Sequence, residues 1–351
     1  MKHKQVFITM AAISFIAAIL WLFFPSTSPK AQLTSKEQGN ILNRSNDVTS
    51  VVKTITQPRA KALRISQITS NDSALLVARK YAKELLFPPY SQPLTTGDFY
   101  RLKPNYFNPQ SVPVDDNGTI LTARLSKYRY TYPEPILATL SGADISHAEL
   151  ELIDLSTGNT LLTTLFEKND ENWQAQLKAK ESLPNQLQAT VKAVAGDKNI
   201  SIALSLQYID SIATIEGFTP AVSQDADMVI NANMLTRESG LYRIRANLFD
   251  ANGQPIAQLV SKKKLSKGSG YISLKTHQSV LQGRELPFSL STFSVELMSP
   301  APGKPTKYGN SVIIKHEIKD FAVSSLSDVP YQPSIQEQQR LQLLKDMAQG
   351  S

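Results

Sequence analysis

Apolar residues recur at every second position through much of the chain after about Thr119. Trp173, Ala175, Leu177 and Ala179 alternate with Gln174, Gln176 and Lys178, and Ile200, Ile202, Leu204, Leu206 and Tyr208 alternate with Ser201, Ala203, Ser205 and Gln207. Successive side chains on a strand point to opposite faces, so this rhythm predicts strands that bury one face only. Between Ala148-Leu150-Leu152 and the run Leu161 to Phe166 lies Asp154-Leu-Ser-Thr-Gly158-Asn159, which is hairpin chemistry. A second set begins near Ala213. There Tyr242, Ile244, Ala246 and Leu248 alternate with Arg243, Arg245 and Asn247, and Asp250-Ala-Asn-Gly253 turns the chain into Pro255 to Ser261. Further strands are predicted at Tyr271 to Thr276, Phe288 to Leu297 and Ser311 to Phe321. Short strands at regular spacing, separated by turn signals, predict β-sandwiches.

Two stretches change the period. Ser73 to Phe87, SALLVARKYAKELLF, places Leu75, Val77 or Ala78, Ala82 and Leu85 or Leu86 near helical spacing. Asn71 or Ser73 can cap this helix and Pro88-Pro89 ends it, leaving an amphipathic element that needs a surface to pack on. Ile335 to Met347 is Gln-rich with Leu341, Leu344 and Met347 on one face, a short terminal helix. Between helix and strands, Leu86 to Pro113 holds six prolines and six Phe or Tyr residues. Prolines hold φ near the polyproline value and remove donors, so this arm is neither a helix throughout nor a central strand. Its rings would be poorly solvated if it hung free. Two readings remain: an ordered wrap on the neighbouring sandwich, or a binding surface formed by Tyr90, Tyr100, Arg101 and Tyr106, residue types that interfaces favour.

The N-terminus carries the longest apolar run. Val6 to Phe24 has no charged residue, follows Lys2 and Lys4, and precedes Pro25. Its length approaches the roughly 30 Å of a bilayer's hydrocarbon core at about 1.5 Å per residue. Ser26 and Ser28 have small-x-small spacing, but Pro29 would follow the cut. The expectation is a signal anchor over 1–24, with a cleaved signal peptide or a buried core helix as alternatives. Either export reading sends the remainder across the inner membrane. The rest divides into a basic flexible linker (25–70), helix plus Pro/Tyr-rich arm (71–118), a first β-sandwich (119–210), a second (211–325), and a tail with a short helix (326–351).

The two β segments, with the hairpin YRIRANLFDANGQPIAQ, resemble tandem immunoglobulin-like sandwiches of bacterial envelope proteins over residues 125–325. The resemblance implies two immunoglobulin-like sandwiches; with the segments read above, the expected fold is mainly β, the two sandwiches preceded by a membrane helix, a linker, one amphipathic helix and the arm. No Cys…Trp…Cys framework exists, so the antibody type is not implied. Trp173 reads as a core residue.

Charge narrows the partners. Up to residue 70 there are nine Lys or Arg against Glu37 and Asp47, which leaves 28 bases and 28 acids in the rest. A neutral body does not fit nucleic-acid binding. The absence of cysteine removes thiol nucleophiles, disulfides and Cys-ligated zinc. His3, His147, His277 and His316 show no HxH or HExxH spacing, and His316 reads as a half-buried strand residue sharing a face with Val312, Ile314 and Ile318. There is no Gly-x-Ser-x-Gly, phosphate-binding or dinucleotide motif. Asp115-Asp116-Asn117-Gly118 reads as a turn before a strand, with calcium as the alternative. Lys262 to Lys264 and Lys267 read as a solvated edge that discourages aggregation. No cofactor or metal is expected. The resulting expectation is a non-catalytic binding or scaffold protein, anchored in the inner membrane through residues 6–24, that holds another envelope protein or glycan. The alternative is a secreted or periplasmic hydrolase whose carboxylates converge between domains.

Overall fold

The alternating segments become strands, and each buries its apolar face against a partner sheet. In this computed structural model the described residues are 70–169, 172–178 and 180–349. The expected signal anchor (1–24) and the linker (25–70), Ser70 apart, lie outside them. Among the described residues no helix is long and apolar enough to cross a membrane.

The arm region carries α1 (Ser70–Glu84), β1 (Ser91–Pro93), α2 (Phe99–Leu102) and β2 (Gln110–Pro113). The first module continues with β3 (Ile120–Leu125), β4 (Arg129–Thr131), β5 (Ile136–Ser141), β6 (Ile145–Asp154) and β7 (Thr160–Leu165). It closes with β8 (Glu167–Asn169), β9 (Asn172–Leu177), β10 (Gln186–Ala195) and β11 (Lys198–Ile209). The second module holds β12 (Ala213–Phe218), β13 (Val222–Gln224), β14 (Asp227–Thr236), β15 (Gly240–Phe249) and β16 (Pro255–Leu265). Then come β17 (Gly268–His277), α3 (Gln278–Leu281), β18 (Phe288–Leu297), β19 (Lys307–Ser311) and β20 (Lys315–Ile318), and the tail ends in α4 (Ile335–Gln349). With 50% strand and 14% helix, the protein is mainly β and its sheets are sandwich-like.

The first module is built from two five-stranded sheets, β4-β11-β10-β6-β7 and β2-β3-β5-β9-β8. Leu150, Leu152, Leu187 and Leu204 of one join Leu121, Leu125, Ile136 and Leu140 of the other in a single core. Trp173 packs on that core from its edge. At the β6–β7 turn Asp154 accepts from the Ser156 amide and hydroxyl (2.8 and 2.7 Å), the side-chain-to-backbone bonding that stabilises such turns. Asp115 likewise accepts from the Asn117 and Thr119 amides at 3.0 Å, closing the turn expected there.

In the second module the layers of the sandwich are continuous. They form one ten-stranded sheet in the order β1-β16-β15-β18-β19-β12-β14-β13, with β17 on β14 and β20 on β18. Strand β19 pairs with both β18 and β12, so it joins the two layers that enclose the core around Tyr242, Ile244, Leu248, Ile272 and Phe288. Gly309 permits that junction: a Cβ there would lie 2.2 Å from the Ala213 carbonyl oxygen. The expected strand from Ser311 to Phe321 is interrupted at 312–314, where Ser311 Oγ both accepts from the Ile313 amide and donates to its carbonyl. Such local bonding offers the backbone an alternative to the ladder. Val312 and Ile314 are therefore exposed, not on the face of His316, whose ring stacks on Phe218 at 4.8 Å.

The arm serves both modules. β1 pairs with β16 and Phe87 packs on the second core, whereas β2 pairs with β3 and Phe107 enters the first. Proline at the end of each arm strand suits edge positions, where no donor is needed. Helix α1 finds its surface on α4.

Candidate functional site

Where the modules meet, a hollow of about 310 Å³ opens between β4, β18 and β19. A second, of about 190 Å³, adjoins it and shares Pro104, Thr292 and Ser294 with the first. The described residues belong to one unit, so both hollows are features of a single body.

Strand β4 is only three residues long and pairs in parallel with β11, which sets Gln207 opposite Arg129. Its other edge is completed by Asn105 of the arm, whose amide accepts from the Arg129 N–H at 2.6 Å and donates to the Arg129 carbonyl at 2.8 Å. So held, Arg129 donates through Nε to Gln207 Oε1 at 2.9 Å and lays its guanidinium 3.4 Å over the Tyr308 ring. Burial lowers its pKa from the usual value, yet a guanidinium stays charged at any ordinary pH. No carboxylate among the described residues lies within ion-pairing distance of it.

A cross-strand row continues into the second module. Tyr308 sits opposite Glu296, and Glu296 opposite Arg243. Alternation along β15 puts Arg243 and Arg245 on one side, and both pair with the buried Glu296, Arg243 through Nε at 2.8 Å. Neighbouring Ala246 faces two residues of β18, Thr292 and Phe293, a β-bulge. Thr292 takes φ of +58°, which a β-branched residue rarely adopts and which accompanies re-aimed side chains next to sites. It lines both hollows.

The arm supplies the rim. Arg101 donates from Nε to Gln258 Oε1 and from Nη1 to the Pro93 carbonyl, each 3.2 Å, with Asp98 at 3.7 Å. Tyr100 is 75% exposed and, with Arg101 and Arg245, lines the smaller hollow. Glu134, the carboxylate on the larger hollow's wall, is held by Lys127 at 2.6 Å and by the Thr131 amide.

Of the four residues expected to bind, the structure brings Tyr100 and Arg101 together at this cleft. Tyr106 packs edge-on against Phe99 with ring centroids 5.0 Å apart. Tyr90 lies apart: its hydroxyl donates to Asp227 Oδ1 at 2.8 Å, and burial together with that bond pushes its pKa up. Sequence reasoning missed Arg129, Arg245, Asn105 and Thr292. The one available signal was the Arg243-x-Arg245 pair on the polar face of a strand. A larger groove of about 900 Å³ crosses the first module near Arg124, Thr139, Gln174 and Lys178, with no aromatic side chain on its wall. Among the described residues no three His, Asp or Glu side chains gather to hold a metal.

No protein-family profile matches the chain, and no curated protein matches it. Among solved structures it is similar to a DUF4785 family protein from Legionella pneumophila, at 15% identity and TM-score 0.39 over 50% of this chain and 52% of that one. It is also similar to trypsin-activated alpha-2-macroglobulin from Escherichia coli, at 10% identity and TM-score 0.22 over 57% of this chain and 15% of that one. The chain thus spans about half the length of the first and a small part of the second. Both neighbours are β-rich.

Proposed function

We propose that the protein is an exported envelope component that binds or scaffolds another envelope molecule through the cleft between its two immunoglobulin-like modules. The observation that carries this reading is Tyr100, which stands exposed beside the half-buried Arg101 and Arg245 at a rim built from three separate chain regions. Tyrosine and arginine on a rigid frame are what recognition surfaces use. The apolar run of residues 6–24 supports an inner-membrane anchor with the body in the periplasm.

The experiment is site-specific photocrosslinking from position 100 in intact cells, alongside Arg101→Ala. A discrete crosslinked species that disappears with R101A, while the melting curve is retained, supports the reading. Absence of any species from position 100 and from a second probe at Ile314 rejects it. Membrane fractionation with N-terminal sequencing tests location. A soluble chain beginning between residues 26 and 35 would reject the anchor and leave export standing.

A further inference from the structure

The cleft has a chemical character that narrows its ligand. Four cations, Arg101, Lys127, Arg129 and Arg245, line the two hollows against Glu134 alone, and Glu134 is already held by Lys127. Arg245 shares its one carboxylate with Arg243, and Arg129 has no direct ion pair and feels Glu296 only at longer range. Taking a guanidinium partly out of water without an anion is costly, and a carboxylate arriving from outside would recover that cost through charge-assisted, often bidentate bonds.

One lip is of a different kind. Ile313 and Ile314 line the larger hollow, Ile314 is 87% exposed, and Val312 beside it is exposed too. The strand break at 312–314 is what turns these aliphatic side chains outward. The one strongly exposed ring, Tyr100, stands at the smaller hollow, whereas the larger hollow sets cations against this aliphatic lip. Guanidinium groups on the floor and isoleucine at the lip are complementary to Asp or Glu next to a large aliphatic side chain.

We infer that the cleft accepts an extended acidic peptide segment of a protein partner, with carboxylates toward Arg129 and Arg245 and an aliphatic residue against Ile313 and Ile314. This rests on the reading of the cleft as a recognition site, and it selects protein over glycan. Binding of this kind weakens as salt rises, because the attraction is screened.

The test uses residues 66–351, which form a compact unit of their own. The body is used to select from a random dodecapeptide library, and the winning peptides are titrated by fluorescence anisotropy. Polygalacturonate and inorganic phosphate are titrated in parallel. The expected winners pair Asp or Glu with Leu, Ile or Val. Their affinity should fall about tenfold or more in Arg129→Gln, since a desolvated charge contact is lost, and similarly in Ile314→Glu, where a like charge enters an exposed position that packing does not restrain. Lys345→Glu on the exposed face of α4 should leave it unchanged. Arg129→Gln is read together with its melting curve, and Ile314→Glu keeps the test decisive if R129Q unfolds. No enrichment, enrichment of basic peptides, or binding indifferent to I314E overturns the inference, as does tight binding of polygalacturonate or phosphate alone. If crosslinking from Tyr100 still captures an envelope molecule in those cases, the recognition reading stands and only the acidic-peptide assignment falls.

Discussion

The arm contains two adjacent ring pairs, Phe99-Tyr100 and Tyr106-Phe107, and they behave differently. Tyr106-Phe107 follows the turn closed by the Tyr106 amide on the Lys103 carbonyl, and its two rings part: Phe107 is 7% exposed within the first core while Tyr106 stays partly in solvent. Phe99-Tyr100 begins the helical turn α2, where neighbours diverge by about 100° and neither must face inward. Phe99 remains 39% exposed, resting against Tyr100 and Tyr106 instead of a core. The second pair fastens; the first presents. Equal composition therefore serves anchoring or recognition according to local backbone geometry.

Truncation should expose this contrast most strongly at Phe107. Phe107→Ala removes a ring from a closed core, and about 3 kcal/mol of stability should go with it, as large core truncations do. Urea unfolding measures this, and a loss no larger than that of Phe99→Ala would erase the distinction. Phe99→Ala itself should cost about 1 kcal/mol, because its ring is only partly removed from water. Tyr100→Ala should move stability by less than about 0.5 kcal/mol, as exposed substitutions do, yet abolish partner capture. Loss of stability with capture intact would return that ring to the anchoring class.

The smallest difference is in titration. The first half of the arm is seated where the His277 amide donates to Ser91 Oγ at 3.2 Å and His277 Nδ1 accepts from the Ser279 amide. Burial lowers the His277 pKa from its ordinary 6.5. The unfolded chain then takes up the proton more readily, so the group's contribution is whole above pH 6.5 and is lost as pH falls through the folded value. His316, lowered by burial too, adds in the same direction. Between pH 7.5 and 5 stability should decline, and His277→Asn should flatten part of that slope. Hydrogen exchange should quicken in β1 before β2; simultaneous loosening would argue that the two halves of the arm do not respond separately.

Much of the strand content was written in period two. The β15–β16 hairpin, with Asp250 Oδ1 accepting from the Asn252 and Gln254 amides at 2.9 Å, and β18 over Phe288–Leu297 lie where alternation and turn residues put them. Helix α4 begins at Ile335, as its apolar spacing implies. These are local properties: side-chain direction follows the backbone, and turn chemistry acts over four residues.

Alternation assigned Arg243 and Arg245 to the polar face but could not name Glu296, which reaches them only because β18 pairs beside β15. Arg129 offered no signal at all. Its environment is made by Asn105 from the arm, Gln207 from β11 and Tyr308 from the other module, residues separated by up to 203 positions. The joining of two layers through β19 was equally invisible, since it depends on how closely Gly309 approaches Ala213. Faces and turns follow from neighbours in the chain, whereas a cleft's charge depends on which distant strands share an edge, and that is settled by burial of the whole core.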